Sequence, residues 1–320
     1  MKRILLVRLS SLGDVLHTFP AVTDLARASP GAELDWVVEE AYVPLVRMHP
    51  AVAHAIPFAL RRWRSGLLTA AVWREIGAFR HALRDRAYDA IVDVQGLVKS
   101  AWVADLARGP VYGYTRAAAR EPLAARFYRF KYDISPELHS VESYRRLLAQ
   151  VAGYMPPAAI DYGIAAPARP AVAPAGRYAV LLHSTARAGK LWPEASWIEV
   201  GRALESRGFV CVLPGGDDAE RERAGQLARS LDRAVVPPRL SLVEAAGLIG
   251  HAAAVVGLDT GLMHLAVALR TPVVAVFCSS VPARTGPLGP GPIAVRGGPG
   301  DPPSPAAVLA ALDEVAPALA

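Results

Sequence analysis

Continuous apolar runs alternate with segments of helical periodicity along most of the chain. The first run, at 3–7, is typical of a strand buried on both faces. Apolar residues then recur at helical spacing from Val15 to Leu25, which predicts a helix. The same patterns predict further strands at 34–38, 52–57, 90–94 and 111–114, helices at 67–86 and 141–151, and a basic loop at 60–66.

A stretch rich in Pro, Ala and Gly at 155–176 has little periodicity and predicts a linker. Beyond it, strands are predicted at 178–183, 209–213, 254–258 and 273–277, helices at 195–206, 219–231, 242–251, 261–269 and 305–315, and a Gly/Pro-rich excursion at 282–303. Strands that alternate with helices twice over predict two parallel-sheet α/β domains. We place these domains at 1–160 and 177–303, with a linker at 161–176 and a C-terminal helix within 304–320 whose return to the N-terminal domain stays open.

The composition is that of a globular protein with a large core, since 52% of the 320 residues are hydrophobic and 20% are charged. No apolar run reaches the roughly 18–20 residues that a membrane-spanning helix needs. The start of the chain shows no signal-peptide pattern. Cys211 and Cys278 each lie in an apolar run, as expected of buried thiols rather than of a disulfide or a metal site. These features predict a cytoplasmic protein.

The net charge of +6 is unevenly distributed along the chain. Residues 1–155 contain 21 Lys and Arg against 15 Asp and Glu, whereas the remainder contains 14 of each. The excess of positive charge predicts an anionic partner for the N-terminal domain. Nucleic acid, an acidic membrane surface and a phosphorylated or carboxylated substrate all stay open at this point.

A tight polar loop follows the first predicted strand and leads into a helix. The small residues Ser11 and Gly13 let a ligand approach the backbone, and free N–H groups at a helix start favour an anion. Asp14, in the first turn, has two interpretations. It complements the helix dipole, which contributes a few tenths to about 1 kcal/mol, or it performs chemistry at the carboxyl end of a parallel sheet, where open α/β folds bind ligands.

Three more polar junctions follow strands of the C-terminal domain. Thr185 and Lys190, after the first strand, suit a pyrophosphate, although a solvated loop with incidental charges is an alternative. After the second, Asp217 or Asp218 is expected to cap the next helix, and the alternative for Glu220 is that it accepts hydrogen bonds from ribose hydroxyls. At the third junction, Asp259 and His264 flank another helix start that accepts an anion, and convergence of all three on one sheet edge indicates a binding site.

Several motifs of other nucleotide-binding or metal-dependent proteins are missing from the sequence. No G-x-G-x-x-G follows the first strand of either domain, and Gly189-Lys190 lacks the rest of a P-loop. The sequence also contains no H-E-x-x-H motif and no Asp-x-Asp pair. The missing Asp-x-Asp pair argues against a metal-dependent nucleotide-sugar mechanism.

Six motifs occur in a characteristic order. They are Ser-Ser-Leu-Gly-Asp-Val-Leu-His-Thr at 10–18, Arg-Arg-Trp-Arg at 61–64, Asp-Val-Gln-Gly-Leu-Val-Lys-Ser at 93–100, Arg-Glu-Pro-Leu at 120–123, Lys-Leu-Trp-Pro at 190–193 and Asp-Thr-Gly-Leu-Met-His at 259–264. Together they resemble the lipopolysaccharide heptosyltransferase I family over almost the full chain. The resemblance implies the glycosyltransferase B fold, with two Rossmann-like domains facing a central cleft. It also implies inverting transfer of heptose, without metal or cofactor, from ADP-L-glycero-D-manno-heptose to the Kdo sugar of Kdo-lipid A.

The resemblance also implies roles for individual residues. Asp14 would be the catalytic base, and Lys190 would support catalysis while binding the donor pyrophosphate. The other donor-binding residues would be Ser11, Gly13, Thr185, Ala186, Glu220, Leu240, Asp259, Thr260, Gly261 and His264. The acceptor-binding residues would be Arg61, Arg62, Arg64, Lys99 and Arg120, in keeping with the basic N-terminal domain.

One departure from the family pattern and several alternatives accompany this interpretation. Ala186 stands where the family tends to have a second hydroxyl residue, so it offers a phosphate only its backbone N–H. Three alternatives stay open: a heptosyltransferase II, a transferase of the same fold that uses a different nucleotide sugar, and a non-catalytic protein that binds a nucleotide or nucleic acid. The third is disfavoured because no motif that reads nucleic acid is present. Transient contact with an anionic membrane surface, on the cytoplasmic face of the inner membrane, is expected through the basic residues that flank Trp63.

Overall fold

The computed structural model describes residues 1–66, 68–185 and 187–317. Its contacts divide the chain into two units, Met1–Gly163 and Ile164–Ala320. The division falls within the linker that the sequence predicts at 161–176, so residues 161–163 belong to the first unit and residues 164–176 to the second.

The first unit contains a six-stranded parallel sheet in the order β3-β2-β1-β4-β5-β6. Its strands are β1 (Arg3–Val7), β2 (Glu33–Glu39), β3 (Val52–Phe58), β4 (Ala90–Asp93), β5 (Val111–Tyr114) and β6 (Phe130–Tyr132). Its helices are α1 (Leu12–Ala28), α2 (Val43–Val46), α3 (Leu60–Ser65), α4 (Ala70–Arg84), α5 (Val98–Asp105) and α6 (Ser140–Ala152). The central strand β1 is buried from Ile4 to Val7, as the continuous apolar run predicts.

The second unit repeats this architecture with the order β12-β11-β10-β7-β8-β9. Its strands are β7 (Tyr178–Leu182), β8 (Val210–Val212), β9 (Ala234–Val235), β10 (Ala254–Leu258), β11 (Val273–Phe277) and β12 (Ile293–Gly297). Its helices are α7 (Glu194–Ser206), α8 (Asp218–Ala228), α9 (Leu242–Gly250), α10 (Gly261–Ala268), α11 (Pro282–Thr285) and α12 (Pro305–Val315). All of the strand pairs in both sheets are parallel.

A buried ion pair joins two helices of the first unit. Helix α6 packs along α1, and Arg145 of α6 donates from Nε to Oδ2 of Asp24 at 2.6 Å, with both side chains buried. The residue before it, Tyr144, points to the N-terminal end of α1 and contacts Asp14. Helix α6 therefore fixes the position of the helix that carries the candidate base.

The structure corrects several local predictions. The segment 60–66, predicted as a basic loop, contains α3, because Trp63 packs against Phe58 and Phe79 and forms one side of the core. The strands β6, β9 and β12 were not predicted, and all of them lie toward the edges of their sheets. The predicted helix start at residue 67 lies outside the described residues, and α4 begins at Ala70.

The C-terminal helix belongs to the second unit. Helix α12 packs against α7, β11 and β12 within that unit. The division into α/β units built on parallel sheets is as predicted. Within the described ranges, no helix has both the length and the apolar character required to cross a membrane.

Candidate active site

Both sheets place their polar loops at a topological switch point. Each has the order 3-2-1-4-5-6 when its strands are numbered within the unit, so β1 lies beside β4 in the first sheet and β7 beside β10 in the second. The connections leave these neighbouring strands in opposite directions, which opens a crevice at the carboxyl edge where ligands bind in such folds. The loops after these four strands carry four of the six motifs that the sequence analysis identified, while the motifs at 61–64 and 120–123 follow β3 and β5.

Asp14 lies in the first turn of α1, and two arginines surround its carboxylate. Arg8 Nη2 lies 2.7 Å from Asp14 Oδ1, and Arg120 Nη1 lies 3.6 Å from Oδ2. Tyr144 Oη donates to Oδ1 at 3.4 Å, and Ser11 donates to Oδ2 from its backbone N–H and its hydroxyl at 3.4 and 3.3 Å. The carboxylate is therefore fixed at the carboxyl edge of the first sheet.

The two arginines at Asp14 differ in burial. Arg8 is 0% exposed, donates to the carbonyl of Val94 and lies 4.8 Å from the centre of the Tyr144 ring, whereas the Arg120 side chain is 58% exposed. Burial by itself raises the pKa of Asp14, but the Arg8 and Arg120 charges and the hydrogen bonds from Ser11 outweigh it and lower the pKa. Asp14 is consequently ionised at neutral pH and ready to accept a proton.

A fully buried carboxylate, that of Asp93, orders the neighbouring loop. Asp93, at the end of β4, accepts hydrogen bonds from the backbone of Gln95 at 2.8 Å, from Ser100 Oγ at 2.8 Å and from Tyr128 Oη at 2.7 Å. Burial raises the pKa of Asp93 despite these donors. Gln95 in turn accepts from the backbone N–H of Leu9 at 2.8 Å, which ties the loop after β4 to the loop that precedes Asp14.

The predicted acceptor-binding cations fall into two groups. Arg62 is held by two carboxylates, Glu40 at 2.9 Å and Glu75 at 2.5 Å, which raise the pKa of its guanidinium. Arg61 and Arg64 on the same helix, and Lys99 on α5, are exposed and form no ion pair with any residue that the structure describes. Arg120 alone of the predicted set contacts Asp14.

Lys190 and Asp259 form an ion pair in the second unit. Lys190 Nζ lies 2.5 Å from Asp259 Oδ2, which joins the loop after β7 to the loop after β10. Ser280 Oγ donates to the same oxygen at 2.7 Å, and His264 Nε2 lies 3.7 Å from Oδ1. Burial raises the pKa of Asp259, but the hydrogen bonds from His264, Lys190 and Ser280 have the larger combined effect and lower it well below the ordinary range.

Two tryptophans anchor the segment that carries Lys190. Trp192 is buried, packs edge-on against Trp197 at 5.1 Å between ring centres and donates from Nε1 to the carbonyl of Pro303 at 2.9 Å. Lys190 ends a short turn just before this anchor. An ammonium carries three donors, so Lys190 can keep Asp259 and still contact an anionic ligand.

Two helix starts complete the carboxyl edge of the second sheet. Asp217 caps α8 by accepting from the backbone of Glu220 at 2.8 Å, while the Glu220 carboxylate accepts from Gly216 N at 2.7 Å. This confirms the predicted aspartate cap and gives Glu220 a structural partner. Thr260 is the N-cap residue of α10 and makes no side-chain cap, so its hydroxyl and the first N–H groups of α10, from Gly261 onward, can donate to an anion.

The structure brings together some of the predicted donor-binding residues and leaves others apart. Lys190, Asp259 and His264 form one cluster. Thr185 and Leu240 are half-buried in loops. Among the described residues, no hydrogen bond or ion pair joins either of them to that cluster. Ala186 lies outside the described residues. Ser11 contacts Asp14 in the first unit, and Gly13 adjoins it in α1.

Three residues of these clusters were not identified from the sequence. Arg8 follows β1 directly, and a charge at the end of a buried strand is the signal that could have revealed it. Tyr144 lies 130 residues from Asp14 in a predicted helix, with no motif of its own. Ser280 follows β11 at the same carboxyl edge as the other polar loops, and that position was the available signal.

One further group of potential metal ligands occurs among the described residues. Glu33, Asp35 and His54 place their ligand atoms within 4.8 Å of one another. Arg86 forms a hydrogen bond to Glu33 and lies 3.8 Å from Asp35, and Tyr88 Oη donates to Asp35 at 2.8 Å. A guanidinium thus already balances these carboxylates, and we interpret the group as a charge network on β2 and β3.

Comparison with known proteins assigns the family. The family model described as glycosyltransferase family 9 (heptosyltransferase) matches residues 76–304, which is more than half of the chain. The chain belongs to glycosyltransferase family 9. It is 47% identical over 292 residues to lipopolysaccharide heptosyltransferase 1 of Pseudomonas aeruginosa. The aligned region covers 90% of this chain and 81% of that protein.

Two solved structures show the same fold. The chain matches the structure of E. coli heptosyltransferase WaaC with ADP at a TM-score of 0.92 and 42% identity, covering 98% of this chain and 100% of that one. The structure of the same enzyme with ADP-2-deoxy-2-fluoro heptose matches at 0.87 and 41% identity, covering 98% and 99%. The family 9 chain is therefore a glycosyltransferase with the glycosyltransferase B fold, as the sequence resemblance predicts.

Proposed function

We propose that this glycosyltransferase transfers heptose from ADP-L-glycero-D-manno-heptose to the Kdo sugar of Kdo-lipid A during synthesis of the lipopolysaccharide inner core. The observation that carries the proposal is the ionised Asp14, held by Arg8 and Arg120, in a chain 47% identical to a lipopolysaccharide heptosyltransferase 1. A type 1 enzyme is favoured over type 2 because relatives at 43–47% identity bear the type 1 name, whereas a type 2 relative is 25% identical.

Asp14 is the base in this proposal. The acceptor hydroxyl oxygen attacks the anomeric carbon of the heptose and forms the new glycosidic bond. The bond from that carbon to the phosphate oxygen breaks, and ADP leaves with the electron pair. The acceptor proton moves to a carboxylate oxygen of Asp14, and the anomeric configuration inverts. General-base catalysis of this kind contributes roughly 10²–10⁴-fold.

The loops after β7 and β10 bind the leaving group. Negative charge grows on the pyrophosphate as the bond breaks, and preorganised donors stabilise that charge. Lys190 provides an ammonium whose position is set by Asp259, and the start of α10 provides backbone N–H groups beside Thr260. This supplies electrophilic assistance from protein groups, in keeping with metal-independent transfer.

The exposed cations of the first unit bind the acceptor. Kdo carries a carboxylate and lipid A carries phosphates, and arginine forms bidentate hydrogen bonds to both kinds of group. Arg61 and Arg64 are available for this because they are exposed and have no described ion pair. Arg120 lies between the base and solvent and is placed to contact the Kdo carboxylate. A lipid acceptor implies that the enzyme works at the cytoplasmic surface of the inner membrane.

A transfer assay with matched donors and acceptors tests the proposal. The purified protein is incubated with ADP-heptose or a competing nucleotide sugar, and with Kdo-lipid A or the same lipid already carrying one heptose. Mass spectrometry then identifies the product. We expect one heptose to be added to Kdo-lipid A from ADP-heptose alone. Transfer only to the heptosylated lipid would instead identify a type 2 enzyme, and transfer only from another donor would refute the ADP-heptose assignment.

A further inference from the structure

A small basic cavity lies at the β6 edge of the first sheet. It has a volume of about 220 Å³ and is lined by Arg116, Pro122, Leu123, Ala125, Arg126 and Lys131, and we refer to it as the β6-edge pocket. Its cations come from three neighbouring elements: the loop after β5, the turn at Pro122–Arg126 and β6 itself. The fold therefore gathers three positive charges around one concavity.

The positive charges of the β6-edge pocket are not balanced by acids. Across 1–66, 68–185 and 187–317, no carboxylate forms an ion pair with Arg116, Arg126 or Lys131. The two nearest acids in sequence are engaged elsewhere: Glu121 accepts from the backbone of Val98 at 2.6 Å, and Asp133 accepts from a threonine hydroxyl at 3.2 Å. Three unneutralised cations around a cavity favour an anionic ligand.

Apolar side chains accompany these cations at the surface. Leu123, in the pocket wall, is 54% exposed, and Phe130 at the start of β6 is 41% exposed. Phe130 stacks on Tyr112 with 4.7 Å between ring centres, and the Arg129 guanidinium lies 5.5 Å from its ring. Exposed apolar groups beside cations mark surfaces that contact a partner with both a charged and an apolar part.

The sequence predicted membrane contact at Trp63 and the basic residues that flank it, but the Trp63 side chain is not available to contact a membrane. It is only 6% exposed and packs among Phe58 and Phe79. The solvent face of α4 is also basic, with Arg74, Arg80 and Arg84. No residue of α4 lines the β6-edge pocket, so this face serves as a comparison surface.

We propose that the β6-edge pocket binds the phosphate headgroup of an anionic lipid at a bilayer surface, with Leu123 entering the boundary of the acyl chains. The pocket is smaller than the roughly 300–1,000 Å³ of sites for whole small-molecule ligands, which suits a headgroup. A single weak membrane signal gives only marginal binding, and a basic patch with an inserted apolar residue supplies two. The proposal rests on the proposed function, since that function requires a lipid acceptor.

Vesicle binding tests the β6-edge pocket. Sedimentation with vesicles of phosphatidylcholine and phosphatidylglycerol is compared with vesicles of phosphatidylcholine alone. The test variant combines Arg116→Ser, Arg126→Ser and Lys131→Ser. The control variant combines Arg74→Ser, Arg80→Ser and Arg84→Ser, which removes the same charge from α4. A basic residue near an anionic surface strengthens binding about fivefold. We therefore expect the test variant to bind the anionic vesicles about a hundredfold more weakly than the wild type at low salt, and the α4 control variant to lose much less of its affinity for them.

A second variant and a second assay separate the possible outcomes. Leu123→Ser is expected to weaken vesicle binding about tenfold without changing the net charge. Wild-type affinity in the triple test variant, or an equal loss in the α4 control, would overturn the proposal. Transfer to water-soluble, deacylated Kdo-lipid A is measured in parallel and is expected to be retained by both triple variants. If the wild-type protein transfers heptose to neither Kdo-lipid A nor its deacylated form, the proposed function fails, whatever the vesicles show.

Discussion

Arg8 and Asp14 form an ion pair of 2.7 Å in which the arginine is completely buried and the carboxylate remains partly open to solvent. The buried partner fixes one carboxylate oxygen, while the open side can receive a substrate hydroxyl. Lowering the pKa of a base makes it a weaker proton acceptor but keeps it ionised at lower pH. The arrangement thus favours a proton transfer that occurs late, after the glycosidic bond has begun to break.

Replacement of Arg8 changes the pH dependence of transfer. Asp14 must be ionised to act as base, and Arg8 lowers its pKa, so activity is lost only as the pH falls through that lowered value. In Arg8→Met the pKa rises, and the acid limb of kcat/KM is expected to move toward neutral pH. In Arg8→Lys the charge is kept, so the limb is expected to stay near its wild-type position while kcat falls. The pH profile of kcat/KM checks both expectations.

A purely structural role for Arg8 predicts a different result. Arg8→Met also leaves Asp14 without its buried partner and is expected to cost about 2–4 kcal/mol of folding stability, which thermal unfolding measures. If both variants were destabilised but kept the wild-type acid limb, Arg8 would support the fold and not tune the base.

Replacement of Lys190 weakens both donor binding and turnover. Lys190→Ala removes the ammonium that pairs with Asp259 and would contact the pyrophosphate. Removal of one charge-stabilising donor from an active site typically lowers kcat by about 10²–10³-fold, and we expect a loss in this range together with about tenfold weaker ADP binding. Kinetics with ADP-heptose and calorimetry with ADP measure the two effects.

Arg229→Ala is the matched control for Lys190. Arg229 is exposed at the C-terminal end of α8, a helix that starts at the carboxyl edge of the sheet and runs away from it. Its replacement removes one positive charge from the same unit and is expected to leave both measurements unchanged. Wild-type kinetics in Lys190→Ala would exclude Lys190 from the pyrophosphate site.

The arginines of α3 are expected to differ in function although they are close in sequence. Arg61→Ala and Arg64→Ala each remove an exposed cation without a described carboxylate partner and are expected to raise the KM for Kdo-lipid A about tenfold with little change in the KM for ADP-heptose. Arg62→Ala breaks two exposed ion pairs, which solvent screens, so it is expected to leave stability nearly unchanged and to have a smaller effect on the KM for the acceptor. A larger acceptor effect in Arg62→Ala than in the other two would contradict this division.

The central strands and their helices follow from local patterns. Strand β1 is an uninterrupted apolar run, and α1 repeats apolar residues at helical spacing, so both could be predicted without knowledge of the tertiary structure. Strand β6 has only three residues and β9 only two, and a pattern that short does not distinguish a strand from a loop. Their formation depends on pairing with a neighbouring strand, as with Phe130 opposite Tyr112.

The site was predictable only where a loop carries its own motif. Asp14 and Asp259 each lie at a strand-to-helix junction with small neighbours, and the sequence identified both. The burial of Trp63 depends on aromatic residues from β3 and α4, and no spacing rule predicts that contact. Tyr144 reaches Asp14 from α6 because Arg145 pairs with Asp24, a long-range interaction that the sequence does not show.

The role of Asp14 as base is the central claim, and the Asp14→Asn variant tests it most directly. The amide keeps the shape of the side chain and an oxygen that can accept from Arg8, but it cannot accept the acceptor proton at neutral pH. Asp85→Asn, which removes an exposed carboxylate from the end of α4, is the control.

The decisive measurement is the initial rate of heptose transfer from ADP-heptose to Kdo-lipid A, with ADP affinity and thermal stability measured on the same samples. We expect Asp14→Asn to transfer roughly 10²–10⁴-fold more slowly, with ADP affinity preserved and the protein still folded but less stable to heat because the buried Arg8 loses its counter-charge, and Asp85→Asn to match the wild type. A rate for Asp14→Asn within a few-fold of the wild type would contradict the assignment of Asp14 as the base.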